Sequence, residues 1–354
     1  MGTADAPSPV RVVIADDAAT ARLSLKAAVE ADGTLVVVGE ARDGAEAVEL
    51  CVRLRPDVAL LDVRMPVMDG VSATKEIMAR APLPVVVISG TQLDEDPQIS
   101  FVALAAGAVE VVRKPRAGIE GQRADDAGRL RRLLRLMSEV KVVRRGSLPP
   151  EGVPAAVPAR SADLLAIGAS TGGPAALARL LRDIRPPLPL PAVVVQHIME
   201  GFVSTMTSWL SSTTGHDVRV ASAGEVLTAG AVLVAPDDFH MTVERGGRIR
   251  LGRGSPIGGH RPSVNELFHS VARVHGHRAI GVLLTGMGDD GAQGLGAMHQ
   301  AGALTFAEAE ASCAVYGMPR AAVELGAVDH LLPLGRLARE LGAALSARPP
   351  QPAP

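Results

Sequence analysis

The chain has 354 residues, enough for two domains. Apolar residues make up 47% and aromatic ones only 2%, so its cores must be built from Val, Leu, Ala and Ile. The formal net charge of −2 sets up no global basic field for nucleic acid or an anionic membrane surface. No apolar run approaches the roughly 18 residues of a membrane span, and the start, MGTADAPSPV, lacks the basic and apolar stretches of a signal peptide. A cytoplasmic protein is therefore expected. Cys51 and Cys313 match no metal spacing and read as reduced, buried thiols.

The first half alternates short apolar runs with helical patterns, which predicts βαβ units around a parallel sheet. VRVVIADD (10–17) ends in Asp16 and Asp17, PDVALLD (56–62) in Asp62, LPVVVISG (83–90) near Ser89, and AVEVVRKP (108–115) in Lys114 before Pro115. In a doubly wound parallel sheet such strand ends share one edge, where ligands bind. Three carboxylates, a hydroxyl and a lysine are thus expected together. Carboxylates so crowded need a cation, and hard oxygen ligands suit Mg²⁺. A carboxylate beside a cation can attack a phosphoryl group and form an aspartyl phosphate. Asp69, in MDG, reads as a turn or cap. A basic closing helix follows, with Leu130, Leu133, Leu134, Met137 and Val140 on one apolar stripe and its arginines in solvent.

With Asp16–Asp17, LLDVRMPVMDG, Ser89 and Lys114–Pro115, residues 9–143 resemble a response-regulator receiver domain. The resemblance implies that Asp62 is the phosphoacceptor, phosphorylated by a histidine kinase of the chemotaxis type. It implies that Asp17, Asp62 and the Arg64 carbonyl hold Mg²⁺, with Asp16 acting through water. Ser89 and Lys114 would bind the phosphoryl group. Val111 stands where receivers often carry an aromatic switch residue, so signal transmission through an aromatic rotamer is not expected.

Residues 144–160, RRGSLPPEGVPAAVPAR, hold four prolines and two glycines without apolar periodicity and read as a linker. Beyond it, DLLAI (163–167) runs into Gly168-Ala169-Ser170-Thr171-Gly172-Gly173. PAVVVQ (191–196) runs into His197, and RAIGVLLT (278–285) into Gly286-Met287-Gly288-Asp289-Asp290-Gly291. Gly168-x-Ser170-x-Gly172 fits a nucleophile elbow, whose glycines allow a tight turn that exposes the serine. GASTGG is neither G-x-G-x-x-G nor a P-loop, which disfavours a phosphate cradle. A serine needs a base to take its proton and a carboxylate to orient that base. The order Ser…His…Asp differs from that of the α/β-hydrolases, although triads permit several orders.

IGASTGG, QHIMEGF, LVAPDDFHM, HRPSVNELFHSVA, LLTGMGDDGAQGL and EASCAVYGMPRAA make residues 161–347 similar to the catalytic domain of chemotaxis response-regulator protein-glutamate methylesterases. The resemblance implies a triad of Ser170, His197 and Asp290, with Asp289 the lesser candidate of the pair. Thr171 and Met287 are candidates for oxyanion or positioning groups, and His260 for lining the substrate groove. His269 reads as structural, and His275 and His277 as loop residues. The implied activity is hydrolysis of glutamate methyl esters on the cytoplasmic helices of chemoreceptors, with deamidation of receptor glutamines, raised by phosphorylation of Asp62. No cofactor is expected in the catalytic domain. The expected fold is two doubly wound parallel-sheet α/β domains joined by a Pro/Gly-rich linker.

Overall fold

A computed structural model describes residues 8–89, 98–114, 120–139 and 162–346. The chain divides into two compact units, residues 1–147 and 148–354. The linker expected over 144–160 lies outside the described residues, as do Val140 and Pro115.

The first unit holds β1 (Val10–Ala15), β2 (Leu35–Ala41), β3 (Val58–Asp62), β4 (Val85–Ser89) and β5 (Glu110–Arg113), all parallel in the order β2-β1-β3-β4-β5. Val12–Ala15, Val58–Leu61 and Val85–Ile88 are fully buried. Strands covered by helices on both faces have no polar side, so their sequences are continuous apolar runs rather than alternating ones. The helices are α1 (Ala19–Glu30), α2 (Gly44–Leu54), α3 (Gly70–Arg80), α4 (Gln98–Ala106) and α5 (Glu120–Ser138). Asp69 is the N-cap of α3, its carboxylate accepting the Ser72 amide at 2.7 Å, as its place in MDG predicts. On α5, Leu130, Leu134 and Met137 are buried. Its arginines are not all in solvent, contrary to expectation. Arg131 donates to the Ala28 carbonyl and to Asp32, and Arg135 donates to Thr34. They fasten the closing helix to α1 and the turn before β2.

The second unit has seven parallel strands in the order β14-β13-β12-β6-β7-β9-β8. They are β6 (Leu164–Ala169), β7 (Ala192–Gln196), β8 (Asp217–Val220), β9 (Ala231–Val234), β12 (Ala279–Leu283), β13 (Leu304–Glu308) and β14 (His330–Leu332). A separate antiparallel hairpin pairs β10 (His240–Glu244) with β11 (Arg248–Gly252). The helices are α6 (Gly173–Asp183), α7 (Val203–Thr214), α8 (Val264–His275), α9 (Ala292–Gln300), α10 (Met318–Glu324) and α11 (Leu334–Ser346). The core is aliphatic, as the composition requires. Val264, Leu267, Phe268 and Val271 of α8 pack with Leu164, Val193 and Leu233 of the strands and with the hairpin residues Met241 and Val243. The chain winds outward in both directions from β6, so the crevice beyond the carboxyl ends of β6, β7 and β12 is the switch point where ligands bind in such sheets. Ser170, His197 and Asp290 follow those three strands. His269 lies half-buried on α8, and His275 is the last residue of that helix rather than a loop residue. Both cysteines are free and buried, as expected, and burial pushes the Cys51 thiol up to about 12. Among the described residues no helix is long and apolar enough to cross a membrane.

The turn from β6 into α6 depends on Gly172, which has φ +76° and no room for a side chain. A Cβ there would come within 2.4 Å of the Ala314 Cβ. Gly172→Ala is expected to cost the second unit about 1–2 kcal/mol from the left-handed backbone alone, and more from the clash. Chemical denaturation followed by Trp209 fluorescence measures it.

Candidate functional site

In the first unit the strand ends bring the predicted acidic residues together. Asp16, Asp17 and Asp62 each offer a carboxylate oxygen within 4.8 Å of the others. Asp16 and Asp62 are buried, whereas Asp17 is exposed. Lys114 Nζ lies 2.6 Å from Asp16 Oδ2 and 3.1 Å from Asp62 Oδ2. The contact with Asp16 is one of charge, since Oδ2 has no aligned hydrogen bond. Burial pushes the Asp62 carboxyl up to about 6, with Lys114 pulling it down and Asp16 pushing it further up. Burial would lower Lys114, but the two carboxylates outweigh it and hold the ammonium above its ordinary value. One lysine among three carboxylates leaves the cluster short of positive charge. Its oxygen donors fit a hard divalent cation such as Mg²⁺. Ser89 closes β4, is buried, and accepts the Lys114 amide through its carbonyl at 2.7 Å. Arg64, two residues past Asp62, is exposed. Val111 is buried on β5.

In the second unit, His197 Nε2 and Asp290 Oδ2 are 2.9 Å apart. Asp290 is buried and carries a full set of further donors. Ser263 Oγ and the Asn265 amide reach Oδ1 at 2.8 and 2.9 Å, and the Val264 amide reaches Oδ2 at 2.7 Å. The amides belong to the first turn of α8, where unpaired N–H groups and the helix dipole both favour an anion. Burial would raise the Asp290 carboxyl, but the bonds from His197, Asn265 and Val264 outweigh it and hold it below its ordinary value. Asp289, its neighbour, is exposed. The structure therefore separates a pair that the sequence only ranked.

Since Nε2 serves Asp290, the other nitrogen of His197 is the one available for chemistry. Nδ1 is buried and without a hydrogen-bond partner. The backbone of His197 is tied to the elbow, its amide donating to the Ala169 carbonyl at 3.0 Å. Gln196 clamps the two together. Its Nε2 donates to the Ser170 carbonyl at 2.7 Å and to the His197 carbonyl at 2.8 Å. Gly173 must be glycine because a Cβ there would sit 2.0 Å from Gln196 Oε1. Ser170 is nearly buried, and its amide donates to the Thr285 carbonyl at 3.0 Å. His260 stacks face to face on His197, with ring centroids 4.0 Å apart and planes at 3°. Burial first, and then the neighbouring His197, lowers its pKa, which favours a neutral ring. Met287 is exposed at the turn after β12, and Thr171 is half-buried beside Ser170.

Sequence reasoning missed Ser263, Gln196 and Thr285. Ser263 was legible as a helix start, because Ser-Val-Asn-Glu is a capping-box pattern. It does cap α8, with the Glu266 amide 3.4 Å from its Oγ. That its hydroxyl also faces Asp290, 27 residues away, is a tertiary fact.

A parallel sheet with an acidic, lysine-bearing pocket at one switch point, and a second sheet with serine, histidine and aspartate at another, define a receiver domain joined to a hydrolase domain. The family model described as "Response regulator receiver domain" matches residues 12–121, and the one described as "CheB methylesterase" matches residues 165–341. A protein-glutamate methylesterase/protein-glutamine glutaminase of Myxococcus xanthus is 45% identical over 95% of this chain and 97% of its own. Another, of Geobacter metallireducens, is 42% identical over 94% and 98%. The crystal structure of the Thermotoga maritima CheB methylesterase catalytic domain superposes with a TM-score of 0.50 at 34% identity, covering 52% of this chain and 99% of that one. The chain belongs to the protein-glutamate methylesterase/protein-glutamine glutaminase family.

Asp290→Asn is expected to lower kcat for ester hydrolysis by about 10³-fold or more, because an amide there can hold the wrong imidazole tautomer. Asp289→Asn should stay near wild type. Methanol release from a methylated receptor fragment compares the two, and the reverse ranking would overturn the assignment.

Proposed function

We propose that the protein hydrolyses glutamate γ-methyl esters on the cytoplasmic helices of chemoreceptors, releasing methanol, and deamidates receptor glutamines at the same site. The observation that carries this reading is the buried His197–Asp290 couple at 2.9 Å, tied through Gln196 to the Ser170 elbow.

Ser170 Oγ attacks the ester carbonyl and passes its proton to His197 Nδ1. Asp290 holds the proton on Nε2 and stabilises the imidazolium that results. The backbone N–H groups of Thr171 and Met287 are the candidates to receive the oxyanion, since neither donates to an acceptor among the described residues. Collapse of the tetrahedral intermediate expels methoxide, which takes the proton from His197 Nδ1 and leaves as methanol. Water then attacks the acyl-enzyme with His197 again as base, and Ser170 is regenerated. With a glutamine substrate the same steps release ammonia. His260, stacked on the base, lines the side from which the receptor side chain enters.

In the receiver, Asp62 accepts a phosphoryl group from a chemotaxis-type histidine kinase. Asp17, Asp62 and the Arg64 carbonyl would hold Mg²⁺, with Asp16 contributing through water, and the ion would supply charge neutralisation for phosphoryl transfer. Lys114 and Ser89 hold the phosphoryl oxygens, and phosphorylation raises the hydrolytic rate. The catalytic domain uses no cofactor in this scheme, and the reaction takes place in the cytoplasm, where receptor helices and kinase are found.

Ser170→Ala should reduce methanol release by about 10⁶-fold, the typical loss for a triad nucleophile, while circular dichroism stays unchanged. Equal rates in mutant and wild type would end the serine mechanism. Asp62→Asn should retain basal hydrolysis and lose stimulation by acetyl phosphate with Mg²⁺. Undiminished stimulation would place the phosphosite elsewhere.

A further inference from the structure

Behind the elbow, on the side away from His197, a second carboxyl group is buried in the catalytic unit. Glu308 is the last residue of β13 and is wholly inaccessible to solvent. Among the described residues no cation lies within ion-pair distance of it. Its Oε2 accepts the Thr285 amide at 3.0 Å, and its Oε1 lies 2.9 Å from Ser312 Oγ. Ser312 Oγ in turn accepts the Leu334 amide at 2.8 Å and lies 3.3 Å from the Ala309 carbonyl.

Thr285 is the point through which this carboxyl reaches the chemistry. Its amide is held by Glu308, and its carbonyl receives the Ser170 amide. Its hydroxyl faces the Thr171 carbonyl at 3.0 Å and accepts the Val315 amide at 2.9 Å. The next residue, Gly286, has no space around it. A Cβ there would lie 2.8 Å from the Ser170 Cβ and 2.2 Å from Met318 Sδ. The end of β12 is thus wedged between the nucleophile turn and the segment before α10, and Glu308 alone satisfies the Thr285 amide.

We propose that Glu308 is a positioning residue for the hydrolysis, a latch that fixes Thr285 and, through it, the Ser170 turn and the Gly286–Gly288 backbone. The inference rests on the reading of Ser170 as nucleophile. The latch works in its uncharged form. A protonated Glu308 donates to Ser312 Oγ, which passes its own proton toward the Ala309 carbonyl while still accepting from Leu334, so every buried group is paired. An ionised Glu308 would place a full charge in a site where Thr285, Ser312 and the Cys313 thiol can donate to it but no described cation forms an ion pair with it. Burial pushes its carboxyl up from the ordinary range, against the bonds from Thr285, Ser312 and Cys313 and the field of Arg179 on α6. The other titratable group against it is the Cys313 thiol, itself pushed up by burial and by Glu308. A carboxyl raised in the folded state contributes stability that is present at acid pH and lost as pH rises through its folded value. A glutamine, which offers one acceptor and one donor in the same shape, reproduces the uncharged pattern at every pH.

The test uses the full-length chain and methanol release from a methylated receptor fragment, with kcat and KM measured separately. Glu308→Leu should lower kcat by roughly tenfold or more with KM little changed, as a displaced nucleophile does. Glu308→Gln should keep kcat near wild type, with a Tm advantage over wild type that widens from mildly acidic to mildly alkaline pH. A folded Glu308→Leu protein with wild-type kcat would overturn the proposal, as would a Glu308→Gln protein as slow as the leucine variant. Should the leucine variant fail to fold, Glu308→Gln decides alone. Retained kcat with the widening Tm gap supports the latch, and a lost kcat or a Tm gap independent of pH rejects it. Ser170→Ala is run beside them. Activity in that variant would reject the serine mechanism itself, whatever Glu308 does.

Discussion

The anchoring of one buried carboxylate organises the catalytic unit. Asp290 receives a hydroxyl, two helix amides and an imidazole. An anion so buried is tolerable only when its lone pairs are filled and a positive potential faces it. The start of α8 supplies both, so that helix has to begin where it does, with Ser263 as its cap. The apolar stripe of α8 packs into the core and fixes the helix start relative to the sheet. Through this one group the core packing of a helix sets the orientation of the His197 imidazole.

With Nε2 of His197 committed to Asp290, the ring nitrogen left without a hydrogen-bond partner is Nδ1. The stacked His260 limits rotation of the imidazole by contact over its whole face. A ring held by a hydrogen bond at one end and by stacking across its face does not need a second side chain to fix its tautomer. Gln196 does the corresponding work for the backbone, joining the carbonyls of residues 170 and 197 with a single amide group.

The two sheets use one device for unlike chemistry. Each collects polar residues at the carboxyl ends of central parallel strands whose bodies are apolar and buried. In the receiver the product is an excess of negative charge around Lys114, suited to a cation and a phosphoryl group. In the catalytic unit the buried carboxylate facing His197 is Asp290, whose lone pairs are already filled by its donors. Glu308 extends the contrast. Among the described residues no cation pairs with that carboxyl, and its burial behind the Ser170 turn pushes it above its ordinary range.

Much of this was legible in the chain. Apolar runs ending in Asp16-Asp17, Asp62, Ser89, Ser170 and His197 announce parallel strands with chemistry at their ends, because a strand buried on both faces leaves no other place for a polar residue. Asp69 and Ser263 were readable as caps, since capping depends on residues only three positions apart. The sequence could not separate Asp289 from Asp290, whose local surroundings are alike. The exposure of one and the burial of the other follow from where α8 begins, some 25 residues earlier in the chain. Nor could it predict that Arg131 and Arg135 would tie α5 to residues about a hundred positions away, Arg131 largely withdrawn from solvent to do so. The sequence by itself determined which residues stand at the ends of strands, because hydrophobic periodicity and turn chemistry are local. Only the tertiary structure decided which nitrogen of His197 is free, which aspartate it meets, and that Glu308 lies behind the Ser170 turn, because each depends on the register and packing of segments that never adjoin along the chain.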